Sequence, residues 1–446
     1  LVNPLNSSMM AVAIVVMQPV FDVGFREASL LISVFYVASA VGQPVMGRLA
    51  DRLGRKRLFL SGLVVVIAAS AAAPFAPGFG WLLAIRALQA VGSSTLYPSS
   101  FGIVRDSIHE RQGQAIGVLA IFAGVGAALG PTLAGALLST FPWYAVFAVN
   151  APLGAIVLVF AWRVLPRDAD HGAIARPRTH HEWLDALDPP GLLLFTVALV
   201  SLLWFLLTVP VGAAWWTLAT GAAAGFLLVR RELRAREPMI DLPTLLENRA
   251  LIAIYAQYTL VNVVFYSVVF GIPTYLQVSE GLQPVTAGLI VLPLSGVGVM
   301  ILPAVGRIID RFGPRRPLVA GTLFMLGGSL ALLGVDSDRG LGAVIGALVV
   351  FGLANGLNNL GLQAALYQTA AAEKMSAAAG LLQTSRYLGT ILATCLLGIV
   401  FNRVVSPAEL HAAALVLVVI SAATLALSWH QRASGRASAR VTIGEY

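Results

Sequence analysis

Gly47-Arg48-Leu49-Ala50-Asp51-Arg52-Leu53-Gly54-Arg55-Lys56-Arg57 is the stretch whose reading decides the fold. Five of its eleven residues are cationic. Apolar stretches flank it, from about Ser29 to Gly47 and from Leu58 to about Pro77. Each is close to the ~20 residues that carry an α-helix across a bilayer core. Cationic residues collect in the cytoplasmic loops of membrane proteins, so the run reads as an inner loop between two spans. It returns 259 residues later as Gly306-Arg307-Ile308-Ile309-Asp310-Arg311-Phe312-Gly313-Pro314-Arg315-Arg316. Two copies of one loop imply a duplicated membrane chain.

Composition agrees. The 446 residues are 58% hydrophobic and 11% charged, with mean hydropathy +0.83, whereas soluble domains carry roughly 25% charged residues. The fold class is therefore all-α and polytopic. The net charge of +8 could suggest nucleic acid, but the charge belongs to short loops on one membrane face, and no nucleic-acid partner is expected. The single cysteine, Cys395, lies in an apolar stretch, has no partner for an intrachain disulfide and reads as packing. No basic residue precedes the first apolar stretch, so no cleavable signal peptide is expected.

About fourteen spans are predicted. Six lie near 3–21, 29–50, 58–79, 81–104, 113–138 and 143–164, two near 190–210 and 212–229, and six near 250–276, 284–305, 316–334, 341–368, 376–402 and 410–430. Between them run a polar linker, Arg167–Asp188, and a charged segment, Arg230–Arg249. Of the 29 Lys and Arg residues, 21 fall at the ends and loops that follow even-numbered spans, and only Arg26, Arg339 and Arg403 on the opposite side. The positive-inside rule then places both termini in the cytoplasm. The expected organisation is 1–166, a six-helix bundle; 167–188, a cytoplasmic linker; 189–229, two additional helices; 230–249, a cytoplasmic segment; 250–431, a second six-helix bundle; and 432–446, a cytoplasmic tail.

Gly47, Leu49, Ala50, Asp51, Arg52, Gly54, Arg55 and Lys56 match, at every specified position, the G-x-L-A-D-R-x-G-R-K loop motif of the major facilitator superfamily, which the chain resembles over essentially its whole length. The second copy keeps Gly306, Asp310, Arg311, Gly313 and Arg315, with Ile309 in place of a small residue and Pro314 in place of a basic one. The six-two-six count is similar to the fourteen-helix drug:proton antiporter branch, as is Arg236-Glu237-Pro238-Met239-Ile240-Asp241-Leu242 before a new span. Internal repeats of this kind accompany secondary transport. The resemblance implies that Asp51 pairs with a cation at the inner end of the fourth span, where Arg105 stands, and latches the inner side shut, with Gly47, Arg52, Gly54 and Asp310 as further parts of the two loops.

A second resemblance lies in the fifth span. Gly117, Gly126, Gly130, Pro131 and Gly135 follow the superfamily's G-x8-G-x3-G-P-x2-G-G pattern, with Ala134 in place of one glycine. Such spacing gives a flat face for close backbone contact, Pro131 bends the helix, and in the family the pattern accompanies antiport. Arg86, Gln89 and Gly92 resemble a third motif that the family links to proton transfer.

Charged groups inside a membrane are expensive and point to function. Two arginines, Arg86 and Arg386, lie inside predicted spans. Tyr255, Gln257, Asn262 and Tyr266 in the ninth span join Asn355, Asn358, Asn359, Gln363 and Gln368 in the twelfth as candidate cavity lining, with Gln89 from the fourth. Asn6 stands where the antiporter branch usually carries an acid. No Asp, Glu or His falls deep in a span: Asp22, Glu27 and Glu280 lie near the outer face, Asp51, Asp106 and Asp310 near the inner. A permanent cation is therefore expected to fare worse in the cavity than a neutral or anionic amphiphile.

No P-loop, metal-ligand cluster or hydrolase motif occurs, and neither a cofactor nor an enzymatic activity is expected. The expectation is a monomeric, multi-pass exporter of small amphipathic compounds in a bacterial inner membrane, with protons as the coupled ion. An uncoupled facilitator or an anion or neutral-solute exporter is the alternative, and a non-transporting sensor the remote one.

Overall fold

The structure is a computed structural model describing residues 2–107, 112–166, 168, 188–234, 245, 247–335, 340–370, 375–401 and 405–430. Most of the expected linker 167–188, residues 235–244 and 246 of the expected charged segment 230–249, and the tail lie outside the described residues. Among those described there is no strand. The first half contains α1 (Val2–Phe21), α2 (Phe25–Ala28), α3 (Leu30–Leu53), α4 (Arg55–Ala72), α5 (Phe79–Ser94), α6 (Leu96–Ser107), α7 (Gln112–Thr140), α8 (Ala145–Ala148) and α9 (Asn150–Val164). A hairpin follows, α10 (Pro189–Gly212) and α11 (Trp215–Glu232). The second half contains α12 (Arg249–Val278), α13 (Pro284–Met300), α14 (Leu302–Phe312), α15 (Arg315–Leu332), α16 (Gly340–Thr369), α17 (Met375–Val400) and α18 (Pro407–His430). Helix occupies every predicted span, and three of the spans are broken at a single residue, Thr95, Val149 and Ile301. Among the described residues, nine helices are long and apolar enough to cross a membrane.

The quoted stretch is mostly helix, which corrects its reading as a loop. α3 continues through Leu53, α4 begins at Arg55, and only Gly54 stands outside, with φ +100°. That conformation strains any side chain but glycine's, so the chain reverses in one residue. Gly313, at φ +75°, makes the corresponding reversal between α14 and α15 together with Pro314.

α1 and α12 run through the middle. Met9, Met10, Ala11, Val12 and Ala13 of α1 have at most 1% of their surface accessible, and 83% of α12 is buried. α1 packs on α7 and on α12. The halves meet along two further seams, α3 on α17 and α7 on α13. α10 lies against both α3 and α17 and so borders the first of these. Its Phe195, Leu199 and Leu203 are buried at four-residue spacing, one face of a helix. The α10–α11 hairpin is closed by Asp188, which caps α10 by accepting from the Gly191 N–H at 3.1 Å and pairs with the Arg231 guanidinium at 2.5 Å. Outward faces carry exposed Ile156, Phe160, Phe226 and Val419, as lipid contact requires. Trp81, Trp162, Trp215, Trp216 and Trp429 stand exposed near helix ends, where indole rings suit the membrane interface.

Candidate functional site

α12 sets out Tyr255, Tyr258, Asn262 and Tyr266 along its length. Steps of three and four residues keep them on one side of the helix. The Tyr258 hydroxyl donates to Asn359 Oδ1 at 2.8 Å, and Asn359 Nδ2 donates to Asn355 Oδ1 at 2.9 Å. Asn262 Nδ2 donates to its own helix, to the Tyr258 carbonyl, at 2.7 Å. The Tyr255 hydroxyl reaches the Ala378 carbonyl at 3.2 Å. Gln363 is half-buried on α16. The tyrosine hydroxyls, with Asn359 and the Ala378 carbonyl as acceptors, therefore tie α12 to α16 and α17, as interhelical hydrogen bonds do inside membranes.

Arg386 completes the cluster from α17. Its Nε and Nη2 both donate to the Tyr266 hydroxyl, at 3.2 and 2.7 Å. No carboxylate pairs with it among the described residues. The first half closes the other side. The Tyr36 ring of α3 lies 5.7 Å from that of Tyr266 and 5.5 Å from that of Tyr387. Gln43 Nε2 donates to the Tyr387 hydroxyl at 3.0 Å, and the Ser33 and Thr394 hydroxyls meet at 2.8 Å farther along the same seam. Tyr97 of α6 stands within electrostatic reach of Tyr258, Arg386 and Tyr387 and keeps 40% of its surface accessible, as Tyr367 keeps 50%. Arg386 is half-buried, whereas Tyr36, Tyr266 and Tyr387 are buried. The composite site thus offers one guanidinium, phenol hydroxyls and amides, on residues from both halves.

The sequence reading picks out Arg386 and Tyr266 but misses Tyr36, Gln43, Tyr97 and Tyr258. Gln43 carries a usable signal, an amide inside an apolar stretch. Nothing local marks Tyr36, whose meaning depends on a helix about 350 residues away.

Arg86 belongs to a different environment. Its Nε donates to the Leu31 carbonyl at 3.1 Å, and Nη1 to Asn6 Oδ1 at 3.2 Å and Gln89 Oε1 at 3.0 Å. Gln89 Nε2 passes the chain on to Ser70 Oγ at 2.9 Å. The guanidinium lies 4.4 Å from the Phe35 ring centroid and 5.9 Å from that of Phe147, so cation–π attraction adds to the hydrogen bonds. Arg86, Asn6 and Gln89 have 1, 2 and 0% of their surface accessible. Arg86 and Asn6, expected as coupling or cavity residues, and Gln89, expected as cavity lining, sit inside the packed first half, where they join α1, α3, α4 and α5.

At the two tight turns, the latch residues have unequal surroundings. Gly47 of α3 faces Pro98 of α6. The side chains of Asp51, Arg52 and Arg105 lie outside the described residues. Asp310 is exposed. Asp168 accepts from the Lys56 and Arg57 N–H groups at 2.8 and 3.1 Å, capping α4. Lys56 Nζ donates to the carbonyls of Trp162 and Leu165 at the end of α9, at 2.9 and 2.5 Å. In the second copy, Arg315 Nη2 donates to the Trp429 carbonyl at the end of α18, at 3.1 Å. In each half the basic turn clasps the final helix of its own half.

The glycines of α7 face both the core and the second half. Gly130 abuts Ser8 of α1. A methyl at Gly135 would meet the Pro284 carbonyl oxygen of α13 at 2.5 Å, and Gly288 of α13 leaves no room for one against the Pro131 carbonyl. Thr132 Oγ1 donates to the Gly288 carbonyl at 3.2 Å. Gly126 is buried, and the surroundings of Gly117 lie outside the described residues. The flat helix face expected from the spacing is therefore used at the boundary between halves.

Known proteins share this architecture. The family model described as the Major Facilitator Superfamily matches residues 1–394. An uncharacterized MFS-type transporter of Bacillus subtilis, YwoD, is 39% identical over 96% of this chain and 94% of its own. The multidrug efflux pump LfrA of Mycolicibacterium smegmatis is 30% identical over 83% of this chain and 73% of its own. A POT family transporter crystallised with 5-aminolevulinic acid superposes with a TM-score of 0.71 at 14% identity, over 96% of this chain and 94% of that one, and shows the shared fold. This multi-pass membrane protein belongs to the major facilitator superfamily.

Proposed function

We propose that the chain is a secondary active exporter of small amphipathic compounds, working by alternating access and exchanging its substrate for protons. The observation that carries this reading is the composite site: Tyr36 and Gln43 come from the first half, Tyr266, Arg386 and Tyr387 from the second. A solute held there touches both halves, so rocking one half against the other would present it to either face in turn. Aromatic and amide lining suits amphipathic ligands. Similarity to a multidrug efflux pump supports export as the direction, and the glycine–proline series of α7 supports antiport. In this reading the protein is a monomer in a bacterial inner membrane, with about fourteen spans arranged six, two and six, both termini in the cytoplasm, and an inner latch between Asp51 and Arg105.

The test is uptake into inverted vesicles across a panel of cationic, neutral and anionic amphiphiles, with and without an imposed pH gradient. Gradient-stimulated accumulation of some panel members, absent from vesicles lacking the protein, is expected. Accumulation indifferent to the gradient would remove the proton exchange, and no accumulation of any compound would remove the exporter.

A further inference from the structure

The two intramembrane arginines are chemically unlike. Arg86 has three acceptors on separate groups, two aromatic rings beside it and 1% of its surface accessible. Its charge is accommodated and walled in. Arg386 is half-buried, and among the described residues its side chain donates only to one phenol oxygen, through two of its nitrogens. A guanidinium has five N–H donors, and a neutral hydroxyl supplies no counter-charge. A cation held in a membrane interior without a balancing anion is costly. The groups around it, Tyr36, Tyr258, Tyr266, Tyr387 and Tyr97, bring aromatic faces and hydroxyls but no carboxylate.

We propose that Arg386 is the substrate-binding and specificity-determining residue of this protein, and that it holds the carboxylate of an aromatic amphiphile whose ring packs against Tyr36 and Tyr387. A carboxylate accepts a planar, paired set of N–H bonds from a guanidinium and supplies the missing negative charge. The tyrosine rings provide apolar area and edge-to-face packing for the aromatic part. Tyr266 acts by positioning: its hydroxyl holds the guanidinium on the α12 side, facing the Tyr36–Tyr387 pair. A quaternary ammonium of equal size would find the same rings beside a fixed like charge. The assignment rests on the exporter reading for its biological meaning, while the binding itself stands apart from transport.

The experiment measures equilibrium binding to the purified full chain in nanodiscs, with no gradient present. The probes are naphthoate, its neutral amide and a naphthyl trimethylammonium. The unmodified protein should bind naphthoate at least about tenfold more tightly than the ammonium compound, a difference of about 1.4 kcal/mol. Arg386→Gln should remove that preference and leave the amide within about twofold, and Arg386→Lys should retain part of it. Tyr266→Phe, which removes the positioning hydroxyl and leaves the charge in place, should narrow the carboxylate preference, and Arg386→Lys, with its partial loss, serves if Arg386→Gln does not fold. Equal or tighter binding of the ammonium probe, no saturable binding of naphthoate, or a carboxylate preference that survives Arg386→Gln would each overturn the assignment. Vesicle uptake separates the two readings: selective binding without accumulation removes the exporter and keeps the site, and accumulation without carboxylate preference does the reverse.

Discussion

Gln43 of α3 and Tyr387 of α17 join the two halves of the molecule through one buried hydrogen bond, Nε2 to hydroxyl, at 3.0 Å. Both residues have less than a tenth of their surface accessible. The bond exists only while this seam is closed, and if the halves rock apart both groups must find other partners. A buried neutral hydrogen bond contributes about 0.5–1.5 kcal/mol. Tyr387→Phe should therefore weaken this closed arrangement by up to roughly tenfold in population. Disulfide formation between cysteines placed at Ser33 and Thr394, whose hydroxyls meet at 2.8 Å, reports on the same seam. Its rate should fall in the Tyr387→Phe background while the melting temperature moves little. An unchanged rate would mean that the bond contributes nothing to closure.

The second seam depends on missing side chains. Gly135 and Gly288 let α7 and α13 approach until backbone carbonyls fill the space a methyl would take. Gly288→Val forces the helices apart and should cost roughly 1–3 kcal/mol of packing, with transport lost or sharply reduced. Gly225→Ala is the matched control, because open space surrounds that position and alanine favours helix over glycine. Full transport by Gly288→Val, at normal expression, would show that the seam tolerates separation.

Asp168 gives a stability prediction free of any transport assay. It caps the first turn of α4 through two backbone N–H groups, while Lys56 holds the end of α9. Loss of such a cap costs about 0.5–2 kcal/mol. Asp168→Ala should lower the melting temperature measurably, and Asp168→Asn, which keeps an acceptor oxygen, should recover most of the loss. Equal destabilisation by both would point to the charge as the important element and not the cap.

How far the chain could be read without coordinates follows from where each signal resides. Apolar runs and the duplicated basic stretch are local, so the helices, the repeat and the α10–α11 hairpin were all legible. The turns were read too long, because helix continues through Arg48–Leu53 and Arg307–Phe312: their polar side chains allow helix as readily as loop, and only the φ of Gly54 and Gly313 ends it. The site was legible in part. Arg386 announces itself as a charge in an apolar stretch, but Arg86 announces itself in the same way and is walled in by Phe35, Phe147, Asn6 and Gln89. Whether an intramembrane charge is open or sealed depends on side chains brought from other helices, which no single stretch reveals. The Tyr36–Tyr387 pairing is hidden for the same reason.

Asp51 carries the last prediction. It lies in the final turn of α3, three residues before the Gly54 reversal, within the complete motif match. A carboxylate at the carbonyl-bearing end of a helix is unfavourably placed against the helix dipole, so its presence there calls for a compensating cation. The basic turn that follows is one source and Arg105, on the next helix pair, is another; pairing with Arg105 is the contact expected to close the inner side. Asp51→Asn keeps the shape and removes the charge. If Asp51 were only a misplaced surface charge, the substitution would leave transport intact and raise stability slightly. If it is a latch, transport in vesicles should fall by roughly tenfold or more, the equivalent of at least about 1.4 kcal/mol between states, while the melting temperature holds. The charge-swapped pair Asp51→Arg with Arg105→Asp should then restore part of the activity that either single change removes, and failure of the pair to do better than both singles would assign the effect to Asp51 acting with some other partner.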